Sequence, residues 1–130
     1  EWNYAAAGGD QQRVYPWSSP SSSTVISSSH AVYGVSGPSH PGSKAAGDGR
    51  YGHSDLGGNV WEWVFDSYTE PYPTETCDDC ATHTAAQYRG NRGGSFANVA
   101  ANLIASLRGA LDPALTRSSI GFRCARNPPP

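Results

Sequence analysis

The sequence predicts a small, loop-rich α+β domain of 130 residues. Three observations carry that expectation. Leu, Ile, Val and Phe together supply only 18 residues, about 14% of the chain, far too few for a helical bundle. Four Trp and seven Tyr, with a net charge of only −2, still allow a packed core, because each aromatic ring buries a large area. Fifteen Gly, ten Pro and 17 Ser break the chain into short pieces joined by loops.

The elements follow in order. Residues 1–7, Glu1-Trp2-Asn3-Tyr4-Ala5-Ala6-Ala7, read as the end of a helix, with Gly8-Gly9 as its stop. No capping residue precedes Glu1, so the helix is expected to begin outside this chain. Arg13-Val14-Tyr15-Pro16-Trp17 reads as a short extended run. Residues 18–29 hold nine Ser or Thr and read as a surface loop or linker; residues 34–50 are again Gly, Pro and Ser without period. Val60 to Phe65 alternates, with Trp61, Trp63 and Phe65 on one side if extended. Asp66 to Thr84 is a loop carrying Pro and Cys. Tyr88 to Phe96 reads as a strand interrupted by Gly90, Gly93 and Gly94, where another backbone can come close. Ala101 to Ala110 is helical or extended, and its period does not decide. Ile120 to Ala125 reads as a last strand.

Several function classes are excluded. No stretch reaches the roughly 18 apolar residues of a membrane span. Lys and Arg total 9, with Lys44 the single Lys, which does not suit a nucleic-acid binder. Residue 1 is Glu and no signal-peptide pattern is present, as expected of a mature, processed or partial product. Three cysteines is an odd number, and in an oxidising compartment it implies a partner elsewhere.

Five motifs in sequence carry a family resemblance: Glu1-Trp2-Asn3-Tyr4-Ala5-Ala6, Tyr15-Pro16-Trp17, Gly58-Asn59-Val60-Trp61-Glu62-Trp63, Arg92-Gly93-Gly94-Ser95-Phe96, and Gly121-Phe122-Arg123-Cys124-Ala125-Arg126. In this order and spacing they resemble the formylglycine-generating enzyme, or sulfatase-modifying factor, domain. The resemblance implies a C-type-lectin-like α+β fold, loop-rich with a small antiparallel sheet. It implies that residues 1–130 form the C-terminal part of one such domain. The insert from Pro71 to Cys80 resembles secreted bacterial members. The resemblance also implies that Cys124 pairs with a cysteine upstream of Glu1, on a missing N-terminal segment or a second chain.

The family's oxidase chemistry uses two cysteines after the Gly-Gly-Ser turn, whose thiolates hold copper(I). Those positions fall here on Asn98 and Leu103, and no cysteine lies between Cys80 and Cys124. Copper-dependent formylglycine formation is therefore not expected, and no catalytic residue is assigned. His30, His40, His53 and His83 lack metal-ligand spacing and read as loop histidines. Asp48, Asp55, Glu62 and Asp66 offer carboxylates, but nothing fixes a catalytic pair.

Calcium fits better. Asp55 to Glu62 brackets a turn with two carboxylates and free carbonyls, the mixture a hard cation prefers. By resemblance, the ligands of a structural calcium are Asp55, Gly58, Val60 and Glu62. A second family calcium site would fall at Ala31-Val32-Tyr33 and is not expected. Cys77-Asp78-Asp79-Cys80 lacks a thioredoxin-like context and a second zinc pair, leaving a local disulfide that shapes its loop.

Two classes of function follow. The first is a non-catalytic, secreted or extracytoplasmic binding or structural module. Its surface, corresponding to the family's substrate groove, is formed by Trp61, Ser95, Asn98, Asn102 and Arg108, facing a protein or glycan ligand. A sharper form is the variable protein of a diversity-generating retroelement, with Phe96 to Gly121 as the variable region. The second class is an enzyme whose active residues lie in a missing N-terminal part.

Overall fold

The computed structural model describes residues 1–72 and 86–125. Among these residues one short helix, α1 (Trp2–Ala6), is followed by three 3-10 turns at Gly9–Gln11, Ala45–Gly47 and Ala100–Leu103. Four strands among the described residues form one sheet: β1 (Trp61–Ser67), β2 (Arg89–Arg92), β3 (Gly109–Leu111) and β4 (Ile120–Gly121). Their order is β3-β2-β1-β4. The β1–β2 and β2–β3 pairs are antiparallel, as expected, whereas edge strand β4 runs parallel to β1. That parallel pair arises because residues 112–119 carry the chain from one edge of the sheet to the other. Such a crossover can return a strand in the same direction as its neighbour.

α1 ends where its sequence says it should. Ala7 caps it, and Gly8 and Gly9 turn left-handed at φ 68 and 66. At Gly9 the ring of Tyr4 lies 3.1 Å from where a Cβ would stand, so only Gly serves there. The expected extended run at 13–17 is instead a turn. Ser18 N donates to Tyr15 O at 2.9 Å, and Tyr15 N donates to Ser18 Oγ at 2.9 Å. Pro16 favours this bend because its ring already fixes φ, and the serine hydroxyl completes it.

β1 forms as expected, with burial at its two ends and a register shift between Trp63 and Ser67. Glu62 and Ser67 are buried, while Phe65 is 70% exposed and Trp61 and Trp63 are half-buried. At Glu62 the reason is α1, whose Trp2 reaches across to it. Residues 101–110 resolve into a 3-10 turn followed by β3.

The core is smaller-grained than the aromatic count suggested. One cluster joins Ala6, Ala7, Leu56 and Ala105, with Trp2 and Ala5 packed against it. The other joins Tyr15, Ala31 and Leu103, flanked by Val14, Trp17, Ile26, Tyr33 and Ile104. Tyr15 stacks on Trp17 at 5.0 Å, and Trp17 on His30 at 5.4 Å, so the aromatics form walls around a small aliphatic centre. Gly94 does what a glycine in a strand end implies. At φ 72 its missing Cβ leaves room for Asn102 O, which would otherwise lie 2.8 Å away. Among the described residues no helix is long and apolar enough to cross a membrane.

Candidate functional site

The turn before β1 is bonded to several other segments of the chain. Asp55, Gly58 and Asn59 all adopt positive φ, at 58, 89 and 61. For Asp and Asn this left-handed conformation is tolerated because the short polar side chain bonds locally. Asp55 Oδ2 accepts from Gly42 N at 2.7 Å. Asn59 is buried and ties three segments together. Its Oδ1 accepts from Ser39 N at 3.0 Å, its Nδ2 donates to Ser39 O at 3.2 Å, and its carbonyl accepts from Phe96 N at 2.8 Å.

Glu62 is the electrostatic centre of this region. It is 6% exposed, so its charge needs partners. Oε2 accepts from Trp2 Nε1 and from Arg123 Nε, both at 2.6 Å, and Oε1 accepts from Arg123 Nη2 at 2.5 Å. The guanidinium fork therefore grips the carboxylate at two points, the strongest form of this pair. Arg123 Nη2 also donates to Ser54 O at 3.0 Å. One carboxylate thus fastens α1 and the chain after β4 to the central strand.

Asp55 and Glu62 carry oxygens of the kind calcium takes, but both oxygens of Glu62 are already engaged by Trp2 and Arg123. Among the described residues Asp55 Oδ1 accepts no bond, and Glu62 Oε1 accepts only the one from Arg123. No three His, Cys, Asp or Glu side chains gather among the described residues. An ion here would therefore draw on the main-chain oxygens of Gly58 and Val60 as well.

The two positions of the family's copper ligands have structural tasks. Asn98 Oδ1 accepts from both Ser95 N and Ser95 Oγ at 2.9 Å, closing the turn after the double glycine. Leu103 is fully buried against Tyr15 and Ala31. Neither side chain offers a thiolate.

Of the five residues expected at the ligand surface, the structure joins Ser95 and Asn98 directly. Ser95 is itself 2% exposed, so its hydroxyl serves the turn. Asn102 sits in the 3-10 turn, its N donating to Val99 O at 2.9 Å and its carbonyl packed against Gly94. Trp61 lines a separate groove of about 280 Å³ with Asn91, Gly109, Leu111, Arg117 and Ile120. Arg108 lies between Tyr68 and Tyr72, its guanidinium carbon 4.8 and 4.4 Å from the ring centres. Its Nη1 donates to Thr69 O at 3.2 Å.

Arg92 stands out beyond these expectations. It is 7% exposed, and its Nη1 donates to Asn3 Oδ1, Ser106 O and Leu107 O at 3.3, 3.0 and 3.3 Å. Burial pushes its guanidinium below the ordinary arginine value, and the nearby Arg108 adds to that; Tyr72 and Asp66 pull the other way. The signal that could have found it is its place just before the Gly-Gly turn, which buries it.

His30 Nδ1 bonds Ser27 N and Oγ at 3.2 and 2.9 Å, and His40 Nδ1 bonds Pro41 O at 3.0 Å; both are loop histidines, as expected. Cys124 is an exposed free thiol. The expected Cys77–Cys80 disulfide and His83 lie outside the described residues.

This architecture, few helices and a curled four-strand sheet wrapped by loops, defines the loop-rich fold of formylglycine-generating enzymes. The chain belongs to the sulfatase-modifying factor enzyme 1-like domain family, whose model matches residues 1–128. It is 27% identical to the formylglycine-generating enzyme of Mus musculus over 137 residues, covering 96% of this chain and 37% of that protein. It is 32% identical to the serine/threonine-protein kinase pkn1 of Chlamydia caviae over 131 residues, covering 97% of this chain and 20% of the kinase. Among solved structures, Treponema denticola variable protein 1 superposes with a TM-score of 0.78 at 26% identity, covering 94% of this chain and 43% of that one. PvdO from Pseudomonas aeruginosa also superposes with a TM-score of 0.78, at 23% identity, over 93% of this chain and 48% of its own, and shares the fold. The chain spans less than half the length of each of these relatives.

Proposed function

We propose that this domain is a non-catalytic, extracytoplasmic binding or structural module built on the sulfatase-modifying-factor scaffold. The observation that carries this reading is the fate of the copper positions. Asn98 is committed to the Ser95 turn and Leu103 to the core, so neither can supply the soft ligand that copper(I) requires. The Cys77–Cys80 spacing supports an oxidising compartment. Structural calcium at Asp55, Gly58, Val60 and Glu62 belongs to the same reading, and so does a ligand at the surface of Trp61, Ser95, Asn98, Asn102 and Arg108.

The test is metal analysis of the intact full-length protein, with an assay of cysteine-to-formylglycine conversion in a sulfatase-type peptide. Calcium without copper, and no conversion, is the expected result. Stoichiometric copper with conversion would overturn the reading.

A second reading has one specific observation in its favour, the likeness to Treponema denticola variable protein 1. In it, Phe96 to Gly121 is the variable region of a retroelement-diversified ligand-binding protein. An adenine-rich template repeat next to a reverse-transcriptase gene supports it, and an undiversified locus removes it.

A further inference from the structure

The sheet has two unlike faces. Glu62 pairs with Arg92 and with Gly121, and that face meets Trp2 of α1. Side chains alternate along a strand, so the neighbouring positions turn the other way. There Trp63 stands opposite Asn91, Asn91 opposite Gly109, and Trp61 opposite Ile120. A groove of about 280 Å³ opens on this second face, and Trp61, Asn91, Leu111, Arg117, Ser119 and Ile120 line it.

The polar groups of this groove are unused. Asn91 is 5% exposed, yet its carboxamide makes no hydrogen bond among the described residues. The one fully enclosed polar atom without a partner among those residues is Asp48 Oδ1. The Asn91 amide therefore reaches open space, and the space beside it is the groove. Gly109 makes that placement possible, because a Cβ there would stand 2.0 Å from Asn91 Oδ1. The Trp61 indole N–H, the Ser119 hydroxyl and the exposed Arg117 guanidinium also have no partner among the described residues. Their backbones are tied down: Trp61 N donates to Ser119 O at 2.8 Å, and Ile120 N to Arg117 O at 3.3 Å.

A buried amide without a partner costs free energy that a ligand can recover. Carboxamide and hydroxyl both donate and accept, which matches the hydroxyl groups of a sugar. The indole supplies a flat apolar surface for the C–H face of a sugar ring, with Leu111 and Ile120 beside it. Arg117 is the one charge among the lining residues, and its fork suits a carboxylate. The groove crosses the face of the sheet, whereas a peptide that adds as a strand needs an edge.

We propose that this groove is a subsite for one acidic sugar residue of a glycan. Trp61 stacks on the ring, Asn91 and Ser119 take hydroxyl groups, and Arg117 takes the carboxylate. This inference rests on the reading of the domain as a binding module, and it names the ligand class. Of the ligand surface proposed above, it keeps Trp61.

The full-length protein is titrated by calorimetry at constant ionic strength. The acidic probes are a galacturonate trimer, a hyaluronan tetrasaccharide and sialyllactose; the controls are maltotriose and tetraglutamate. Saturable binding of at least one acidic sugar is expected, about tenfold tighter than either control. Arg117→Gln weakens it about tenfold or more, as loss of a charged hydrogen bond requires. The Arg117 side chain bonds nothing among the described residues, so this variant keeps the parent's Tm. Gly109→Ala displaces the Asn91 amide and weakens binding as well. Absence of saturable binding by every acidic sugar overturns the proposal. Equal binding of maltotriose or of tetraglutamate, or undiminished binding in Arg117→Gln, also overturns it. Copper content and peptide conversion are separate readouts, so a failed sugar titration leaves the non-catalytic reading standing.

Discussion

Replacing Glu62 by Gln should loosen the whole domain, because one carboxylate holds both α1 and the chain after β4. Glu62 is 6% exposed and accepts three hydrogen bonds, from Trp2 and twice from Arg123. Gln has the same shape but carries an NH2 where one oxygen stood. One of the three donors then faces another donor, and the other bonds lose their charge. A bond to a charged group contributes about 1.5–3 kcal/mol and a neutral one about 1 kcal/mol. The Arg123 side chain is 32% exposed, so water compensates it in part and the loss is discounted. The net cost comes to about 2–3 kcal/mol. In a domain of this size that is a fall in Tm of roughly 10 °C.

Melting curves of Glu62→Gln, Arg123→Met and the double variant, followed by circular dichroism, give the answer. The double variant should be less destabilised than the sum of the singles, with a coupling of about 1–2 kcal/mol. A Tm within about 2 °C of the parent for Glu62→Gln, or strictly additive effects, would refute the role of this carboxylate as the fastener.

Three further outcomes are expected. Leu103→Ala should cost about 2–5 kcal/mol and Asn98→Ala about 1–2 kcal/mol in urea denaturation, since one empties a core position and the other strands the Ser95 donors; near-zero values for both would mean these sites were free for a ligand after all. Calcium should raise Tm above its value in chelator, and Asp55→Asn should shrink that rise; equal curves with and without calcium would leave Arg123 as the counter-charge of Glu62. Burial, with a smaller push from Tyr33, holds the Tyr15 hydroxyl above the ordinary tyrosine value of 10.0. The folded state therefore keeps that proton longer than the unfolded one, and stability should fall as pH rises past about 10. Ultraviolet titration should show Tyr15 ionising late, and Tyr15→Phe should remove its share of the alkaline loss.

Much of the site was legible because its motifs are local. Gly8 and Gly9 stop a helix wherever they occur after an Ala run. Gly93 and Gly94 announce a close backbone approach, and Asn102 O takes it. The absence of thiols at Asn98 and Leu103 can be read from spacing alone. Which residues of β1 are buried was not legible. Alternation puts Trp61, Trp63 and Phe65 on one side, but it shows neither the register shift nor the reach of α1 to Glu62. The expected ligand surface was only partly assembled for a similar reason. Ser95 and Asn98 are three residues apart and meet in one turn, whereas Trp61 and Arg108 are placed by different strands, one in a groove and one between two tyrosines.

By itself the sequence determined what short-range chemistry can determine: the family, the loop-rich class, the helix stop, the turn before β1 and the loss of the copper ligands. The family and class come from motif order and composition along the chain, and the rest depend on residues within a few positions of one another, where backbone preference and spacing are enough. The tertiary structure decided the rest. It placed Arg123 on Glu62 across 61 positions of chain, set β4 parallel to β1, and buried Arg92 opposite Glu62 on β1. Those pairings are long-range, and they exist only once the strands have found their register.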